Sequence, residues 1–237
     1  MANFIVIDTE GVITGNRNSR NIGAESSAYD IGFIIANTNG EILDRYSFIN
    51  TDVFYQEPLM ATAYYADKLP QYHEGIGLEW VPLSLLSIHK IFTHCVKTYN
   101  ARKVWAYNAS YDRDSLNRTI TQASNGFLTE WLPSGCRWAD IWDYAGEILC
   151  STSKYIKWCF EHSFVSPKGN PKTNADTVGK YVTQNLDFVE QHTALSDCEI
   201  ELQILQKCLK QHKKCPTSMG QGWRKAAAQA KKLSKVK

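Results

Sequence analysis

The N-terminal segment Phe4–Ile7 is an unbroken apolar run that leads directly into the acidic triplet Asp8-Thr9-Glu10. Such a run is typical of a buried strand, and period-two alternation puts Asp8 and Glu10 on the same side of it. Gly11 favours a turn, so we expect the strand to end there. Two carboxylates that converge at a strand tip repel each other, and a divalent cation is the usual way to hold both ionised. Alone the pair is not specific, because acids at strand ends are commonly just solvated.

The composition is that of a folded protein without membrane spans. Hydrophobic residues make up 43% and aromatic residues 12% of the 237 residues, enough for a sizeable core. No stretch approaches the roughly 18 apolar residues of a membrane span, and we expect no secretory signal, because the chain starts without a basic region or cleavage site. Seven cysteines without a Cys-x-x-Cys pair indicate free thiols in a reducing compartment. We therefore expect a cytoplasmic protein, in the host cytoplasm if a virus encodes it.

The net charge of +2 conceals an asymmetry along the chain. Ten of the 26 lysines and arginines lie from Lys207 onward, where there is no acid, so residues 1–206 carry sixteen basic residues against 24 acidic ones. An acidic body with a basic tail suggests a polyanionic partner. The alternative is that the tail is solvated and only aids solubility. Pro216, Gly220 and Gly222 predict that this tail, residues 215–237, is flexible.

The hydrophobic pattern predicts an α/β fold with a mixed sheet. Asn39-Gly40 lies between the apolar runs Ile31–Ala36 and Ile42–Ile49 and is a strong hairpin signal. A further strand is expected over Lys103–Tyr107. We expect helices over about 84–99, 112–123, 137–149, 153–163 and 194–211, and a loop over 165–174. This order indicates a sheet with helices on its faces, in one domain that covers residues 1–214.

Two further acidic segments stand at the starts of predicted helices. Asn108-Ala109-Ser110-Tyr111-Asp112 follows the strand that ends at Tyr107, where the helix dipole tolerates an anion. The segment from His192 to Asp197 opens the last long helix. Each has a plain structural reading: Asp112 as a helix N-cap, His192 as a capping-region histidine and Asp197 as a surface acid.

Taken together, the three segments resemble the DEDDh family of 3′-5′ exonucleases. Asp8-x-Glu10, Asn108-x-x-Tyr111-Asp112 and His192-x4-Asp197 have the order and spacing of that family's motifs. The family includes the proofreading subunit of bacterial DNA polymerase, ribonuclease T and small exonucleases of tailed phages. The resemblance covers residues 3 to about 210 and implies a ribonuclease H-like fold.

The resemblance also implies the roles of individual residues. Asp8, Glu10, Asp112 and Asp197 would bind two divalent ions, Mg²⁺ or Mn²⁺, which suits oxygen-only ligands. His192 matches the histidine that takes the proton from the attacking water. The implied activity is release of nucleoside 5′-monophosphates from single-stranded 3′ ends, with DNA favoured. Asn108 and Tyr111 would contact the substrate.

Two parts of the chain depart from the family pattern. Related enzymes follow Asp-x-Glu with threonines and a hydrophobic wedge beside the terminal base, whereas this chain has Gly11-Val12-Ile13. Val12 or Ile13 could be the wedge. The segment 51–84, which we call the insertion, is longer than a minimal member needs, and we expect it to be irregular. Its tyrosines can stack on bases, but aromatic residues in an insertion more often pack it against the body.

Two other classes of function stay open from the sequence. One is a nucleic-acid-binding module with a degenerate site, against which the complete set of five residues argues. The other is a nuclease with a different substrate or polarity, such as an RNA-trimming exoribonuclease. The sequence does not separate DNA from RNA, because single-strand grooves read stacking and backbone in both. It also leaves the oligomeric state open.

Overall fold

The computed structural model of the chain describes residues 2–234, so Lys235 and Lys237 of the predicted basic tail lie outside the described residues. Within that range six strands form one mixed sheet in the order β4-β3-β2-β1-β5-β6. The strands are β1 (Asn3–Ile13), β2 (Ser26–Asn37), β3 (Ile42–Asn50), β4 (Val81–Leu83), β5 (Lys103–Ala106) and β6 (Arg137–Asp140). The helices are α1 (Thr51–Phe54), α2 (Glu57–Met60), α3 (Leu69–Gly75), α4 (Leu85–Thr98), α5 (Ala109–Ala123), α6 (Ile141–Ala145), α7 (Ser153–Glu161), α8 (Ala175–Thr183), α9 (Ala194–Leu209) and α10 (Trp223–Ser234).

The first three strands form an antiparallel meander. The predicted hairpin between β2 and β3 is confirmed, and Gly40 has the positive φ of 91° that its turn needs. β1 pairs with β2 over its whole length and continues to Ile13, so the prediction that it ends at Gly11 is wrong. A register shift between Glu10 and Gly11 marks a β-bulge instead of a turn. Bulges re-aim side chains next to functional sites, and this one lies directly after the acidic pair.

Two helices follow the predicted apolar spacing closely. α4 covers almost the whole predicted range, and its buried face consists of residues at helical spacing: Leu85, Ile88, Phe92, Cys95 and Val96. α5 starts at Ala109, three residues earlier than expected. Asp112 therefore lies inside the first turn of α5, and its reading as an N-cap is wrong.

The C-terminal half differs more from the sequence prediction. The helix expected over 137–149 is wrong at its start, because Arg137–Asp140 is strand β6 and the Asp140 carboxylate caps α6 by accepting from the N–H groups of Trp142 and Asp143. A π-helical turn, Gly146–Cys150, continues α6. α8 was not predicted. In place of a flexible tail, residues 223–234 form α10, whose small residues Ala226, Ala227 and Ala230 are buried.

The chain divides into two compact units, each built from separate segments. The first comprises 1–104, 110–138 and 191–198 and holds β1 to β4, α4 and most of α5. The second comprises 105–109, 139–190 and 199–237 and holds α6 to α8, most of α9 and α10. The domain boundary at residue 214 stays a prediction. No described helix has the length and apolar character needed to cross a membrane, and all seven cysteines are free thiols.

The insertion is ordered and builds a small core of its own within the first unit. The expectation that it is irregular is wrong, because it contains α1, α2, α3 and a 3-10 turn at Ala66–Lys68. Its core joins side chains of the insertion to residues of β1, β2 and β3: Val12, Tyr29, Ile49, Val53, Phe54, Met60, Ala63, Tyr72 and Trp80. Most of the insertion's aromatic side chains therefore pack against the body, as expected, whereas Tyr55 and Tyr64 are exposed.

Candidate active site

The acidic pair of β1 lies in the middle of a paired strand. Asp8 is opposite Gly32 and Glu10 is opposite Asp30 on β2. Both acids are half-buried, and Thr9 between them points into the core. The alternation therefore places Asp8 and Glu10 on one face, as the sequence predicts.

Thr9 connects the strand to the third acid. Its hydroxyl Oγ1 donates a hydrogen bond of 2.9 Å to Oδ1 of Asp112, which is only 1% exposed. Asp112 is thus held against β1 at Thr9, in the first turn of α5, where the backbone N–H groups favour an anion.

Tyr111 and Gly11 fit closely together next to these acids. A Cβ on Gly11 would lie 2.8 Å from the Tyr111 hydroxyl, so this approach requires glycine. Burial raises the pKa of Tyr111 well above its usual value, and the charges of Asp112, Glu10 and Asp8 raise this pKa further. The Tyr111 hydroxyl therefore stays protonated and faces the acidic group as a neutral hydrogen-bonding group.

The fourth acid is brought in by close packing of α9 on β2. A Cβ on Gly32 would overlap the backbone of Ala194 and Leu195, so only glycine lets the start of α9 approach this strand. Cys198 completes the contact, since its Sγ lies 3.2 Å from the Gly32 carbonyl oxygen and 3.7 Å from that of Val6. Gly32 is also the cross-strand partner of Asp8, so the same position aligns both motifs.

His192 lies in the turn directly before α9, and Asp197 lies in the first turn of that helix. His192 has a left-handed backbone with φ of 52°, and its N–H donates to Asp197 Oδ1 at 3.2 Å. The imidazole Nδ1 lies 3.8 Å from Asp197 Oδ2, and the side chain of His192 is 35% exposed. The two residues therefore interact in this structure. Asp197 is buried, so the alternative interpretation of Asp197 as a surface acid is wrong.

Glu10, His192 and Asp197 could together hold a metal ion, because one ligand atom from each lies within 4.8 Å of the others. Among the described residues this is the one such group found; Asp8 and Asp112 are not part of it. Carboxylate oxygens with one imidazole nitrogen suit a divalent ion such as Mg²⁺, Mn²⁺ or Zn²⁺. The donor set thus fits a metal, and His192 is close enough to be one of its ligands.

Asp30 is a fifth acid that the sequence analysis missed. It is fully buried opposite Glu10, and its Oδ2 accepts hydrogen bonds from the Ala194 N–H at 2.9 Å and the Tyr72 hydroxyl at 2.8 Å. Burial raises the pKa of Asp30 to about 6, although these two donors act in the opposite direction. A signal for it exists in the sequence: an acid directly before the apolar run Ile31–Ala36 has to be buried and satisfied.

Two predicted substrate-contact positions have different surroundings from those expected. Val12 is fully buried in the core of the insertion, so its prediction as a wedge is wrong; Ile13, which is half-buried, stays a candidate. Asn108 belongs to the second compact unit. It has φ of 62°, and its N–H donates to Asp140 Oδ1 at 3.3 Å.

The sheet order and its flanking helices define a mixed α/β protein and confirm the predicted fold class. No protein-family model and no curated protein sequence matches the chain. Solved structures do match: Escherichia coli exonuclease I in complex with a dT13 oligonucleotide has a TM-score of 0.61 at 11% identity, over 87% of this chain and 41% of that one. The zinc-bound form of an E. coli exonuclease I–single-stranded DNA complex has a TM-score of 0.57 at 12% identity, over 90% and 41%.

A structure of exonuclease I without ligand also matches the chain, with a TM-score of 0.60 at 12% identity over 90% of this chain and 43% of that one. The chain therefore has the fold of part of exonuclease I, and it spans about two-fifths of the length of those proteins. At this identity the likeness establishes the fold, and what the site does is argued below.

Proposed function

We propose that the chain is a metal-dependent 3′-5′ exonuclease that releases nucleoside 5′-monophosphates from single-stranded nucleic-acid ends, with DNA favoured. The observation that carries the proposal is the group formed by Glu10, His192 and Asp197, with ligand atoms within 4.8 Å of one another. Asp8 lies on the same face of β1 as Glu10, and the hydrogen bond from Thr9 holds Asp112 against this strand. We propose that these three distant segments of sequence supply four carboxylates and a histidine to one site.

The carboxylates Asp8, Glu10, Asp112 and Asp197 are proposed to hold two divalent ions, Mg²⁺ or Mn²⁺. Such a pair, when bound, activates water and stabilises the leaving 3′ oxygen. The acids also need the ions, because close carboxylates in a half-buried site repel one another. The zinc-bound exonuclease I complex supports a requirement for divalent metal.

His192 is proposed to take the proton from the attacking water. A neutral imidazole with an intrinsic pKa of about 6.5 suits that task. The carboxylate of Asp197, 3.8 Å from Nδ1, favours the imidazolium that forms. Gly11, Ile13, Asn108 and Tyr111 are proposed to contact the 3′ nucleotide; at Gly11 the absence of a side chain leaves room for the Tyr111 hydroxyl.

Single-stranded DNA is the proposed substrate, because structures of the same fold are complexes with DNA oligonucleotides. An RNA-trimming exoribonuclease is the first alternative, since stacking and backbone contacts serve both polymers. A binding module with a degenerate site is the second, and the presence of all five residues argues against it. We also keep the cytoplasm as the proposed compartment, which the seven free thiols support.

The test is a product ladder from 5′-end-labelled single strands of DNA and RNA of equal sequence, incubated with Mg²⁺, with Mn²⁺ or with excess chelator. We expect stepwise shortening that needs metal and is faster on DNA, with nucleoside 5′-monophosphates as the released product. A 3′-phosphorylated strand is the control for polarity and should be degraded slowly.

The matched protein control is Asp8→Ala, which removes one proposed ligand on an otherwise paired strand. It should stay folded by circular dichroism and lose cleavage. Robust activity of Asp8→Ala, or of the wild type in chelator, would contradict the two-metal mechanism. Faster shortening of RNA would favour the exoribonuclease alternative, and tight binding without any cleavage would favour the binding module.

A further inference from the structure

The insertion contacts the His192 turn directly through Tyr65. The rings of Tyr65 and His192 are stacked, with centroids 4.5 Å apart and planes inclined by 13°. Tyr65 is supported from its own segment, because Tyr64 packs its ring edge-on at 4.8 Å and the Lys68 ammonium lies 5.9 Å from the Tyr65 centroid. The imidazole thus rests against an aromatic ring that the insertion supplies.

A second contact of the insertion reaches the same turn through Tyr72. Its hydroxyl donates to Asp30 Oδ2, and the same oxygen accepts from the N–H of Ala194, two residues after His192. Tyr72 is fully buried and packs edge-on against Tyr29 at 5.7 Å, so this hydroxyl has little freedom to move. Asp30 therefore links α3 of the insertion to the backbone at the start of α9.

The His192 turn needs such support more than the rest of the site does. Asp8, Glu10 and Asp112 lie on a central strand and on a helix, whereas residues 184–193 between α8 and α9 form no helix or strand. His192 also has a left-handed backbone, which costs a non-glycine residue conformational energy. A ring on a partly exposed turn has several rotamers, and stacking selects one of them.

We propose that the insertion, residues 51–84, positions His192: Tyr65 holds the plane of the imidazole, and Tyr72, through Asp30, holds the backbone of the turn. The catalytic meaning of this inference rests on the function proposed above, but the contact itself can be measured without activity. Tyr65 and Tyr72 are positioning residues, since they act on the reaction through His192. The insertion, whose role the sequence left open, would thus orient His192.

The kinetic test compares Tyr65→Ala with Tyr65→Phe and Leu78→Ala. Aromatic pairing of this kind corresponds to roughly a 2- to 12-fold effect. Tyr65→Ala should lower kcat by that factor with KM little changed, and Tyr65→Phe, which keeps the ring, should restore kcat. Leu78→Ala is the matched control: the residue belongs to the insertion, is 87% exposed, and should leave kcat unchanged.

The coupling test repeats Tyr65→Ala in a His192→Ala background, where it should have no further effect on kcat. An equal loss in both backgrounds, or a loss that appears in KM alone, would overturn the inference; the second result would mean that Tyr65 binds the substrate base. Tyr72→Phe, which removes the hydrogen bond and keeps the ring, should also lower kcat in the wild-type background only.

A spectroscopic test separates this inference from the proposed function. In wild-type protein the Tyr65 ring current should shift the His192 imidazole proton signals upfield, and Tyr65→Ala should abolish this shift. If the protein degrades no nucleic acid but the upfield shift is present and lost in Tyr65→Ala, the proposed function fails while the contact stands. If His192 shows the same shift in Tyr65→Ala, the inference is wrong whatever the activity.

Discussion

His192 combines a left-handed backbone, a hydrogen bond to Asp197 and a stacked ring, which together leave its imidazole in a single orientation. If it is the general base, His192→Ala should lower kcat by about 10²- to 10⁴-fold, because that is the range for losing a positioned base. Substrate affinity should change little. Single-turnover kinetics at saturating substrate is the measurement, and the exposed His94→Ala variant is the control. A His192→Ala protein with nearly full turnover would reassign the residue to a packing role.

Neutralising one of the half-buried acids should change activity and stability in opposite directions. Glu10→Gln should abolish cleavage, because the amide is a poor ligand for the metal. In chelator its melting temperature should rise above that of wild type, since one of several neighbouring negative charges is removed. Calorimetry in chelator and cleavage in Mg²⁺ check the two effects. A lower melting temperature in chelator would show that Glu10 contributes more to folding than its repulsion costs.

Gly32 is the position where stability and activity should change together. Gly32→Ala places a methyl group against the backbone of Ala194 and Leu195, and overpacking of this kind costs about 1–3 kcal/mol. Because α9 must then move, turnover should fall as well. Gly169→Ala is the control, since its φ of 72° also strains alanine but the position has open space around it. It should lose stability in denaturant titration and keep full turnover.

The sequence could predict those candidate site residues that stand at the spacing of a recognisable motif. Asp8, Glu10, Asp112, His192 and Asp197 stand at recognisable distances from apolar runs, whereas Tyr65 and Tyr72 lie in an aromatic-rich segment with no regular pattern. Their partners, His192 and Asp30, are 127 and 42 residues away. Contacts at such separations depend on how the chain folds back, which local pattern does not encode.

At the scale of elements, α10 has a buried face of small residues and an exposed basic face. Arg224, Lys225, Lys231 and Lys232 are all exposed, and Lys225 forms an ion pair with Glu147 in the same unit. Changing Arg224, Lys231 and Lys232 to glutamine keeps the buried alanines and this ion pair, and it should weaken substrate binding without altering kcat. If all three contact phosphates, the log–log salt slope should flatten by about two, at roughly 0.7 per contact for single strands.

The control for α10 is the paired variant Lys154→Gln and Lys168→Gln, two exposed lysines elsewhere in the second unit. It should leave the salt slope nearly unchanged if α10 is the element that contacts phosphates, because neither lysine belongs to that helix. An identical slope for wild type and the α10 variant would assign the helix to another partner or to solubility.

Elements were predictable where apolar spacing and turn residues agree, as in the β2–β3 hairpin and α4. β6 was missed because four residues of strand lead into α6 without a Gly or Pro between them, so the apolar pattern reads as one helix. α10 was missed because its buried face is made of alanines among lysines, which carry little hydrophobic signal. In both cases tertiary packing decided the structure.

At the scale of the whole molecule, buried acids predict how stability depends on pH. Burial raises the pKa of Asp140 to about 6, as it does for Asp30. The folded state then binds protons more tightly than the unfolded state, so between about pH 4 and 6 these two acids lower stability as pH rises. In chelator, the melting temperature of Asp140→Asn should depend less on pH in this window than that of wild type. An equal or steeper dependence would show that Asp140 is ionised in the fold throughout.

The fold class could be predicted because the order of strands and helices restricts the topology, but the division into two units could not. Each unit is assembled from three separate segments, and four of the boundaries fall within single elements, β5, α5, β6 and α9. No change of composition marks such a boundary. The positions of the acids on their elements follow from local pattern, whereas the close approach of α9 to β2 depends on Gly32 at one point of a long strand.

The short helices of the insertion have a consequence for how the protein loses activity on heating. α1, α2 and α3 contain four, four and seven residues, so they depend on their small shared core and not on helix length. Segments of this kind open locally at a lower free energy than the central strands. Amide hydrogen exchange should therefore be faster over 51–80 than in β1 and β2. If the protein has the proposed activity, inactivation should then precede the main unfolding transition and reverse on cooling, because the insertion opens before the central strands do.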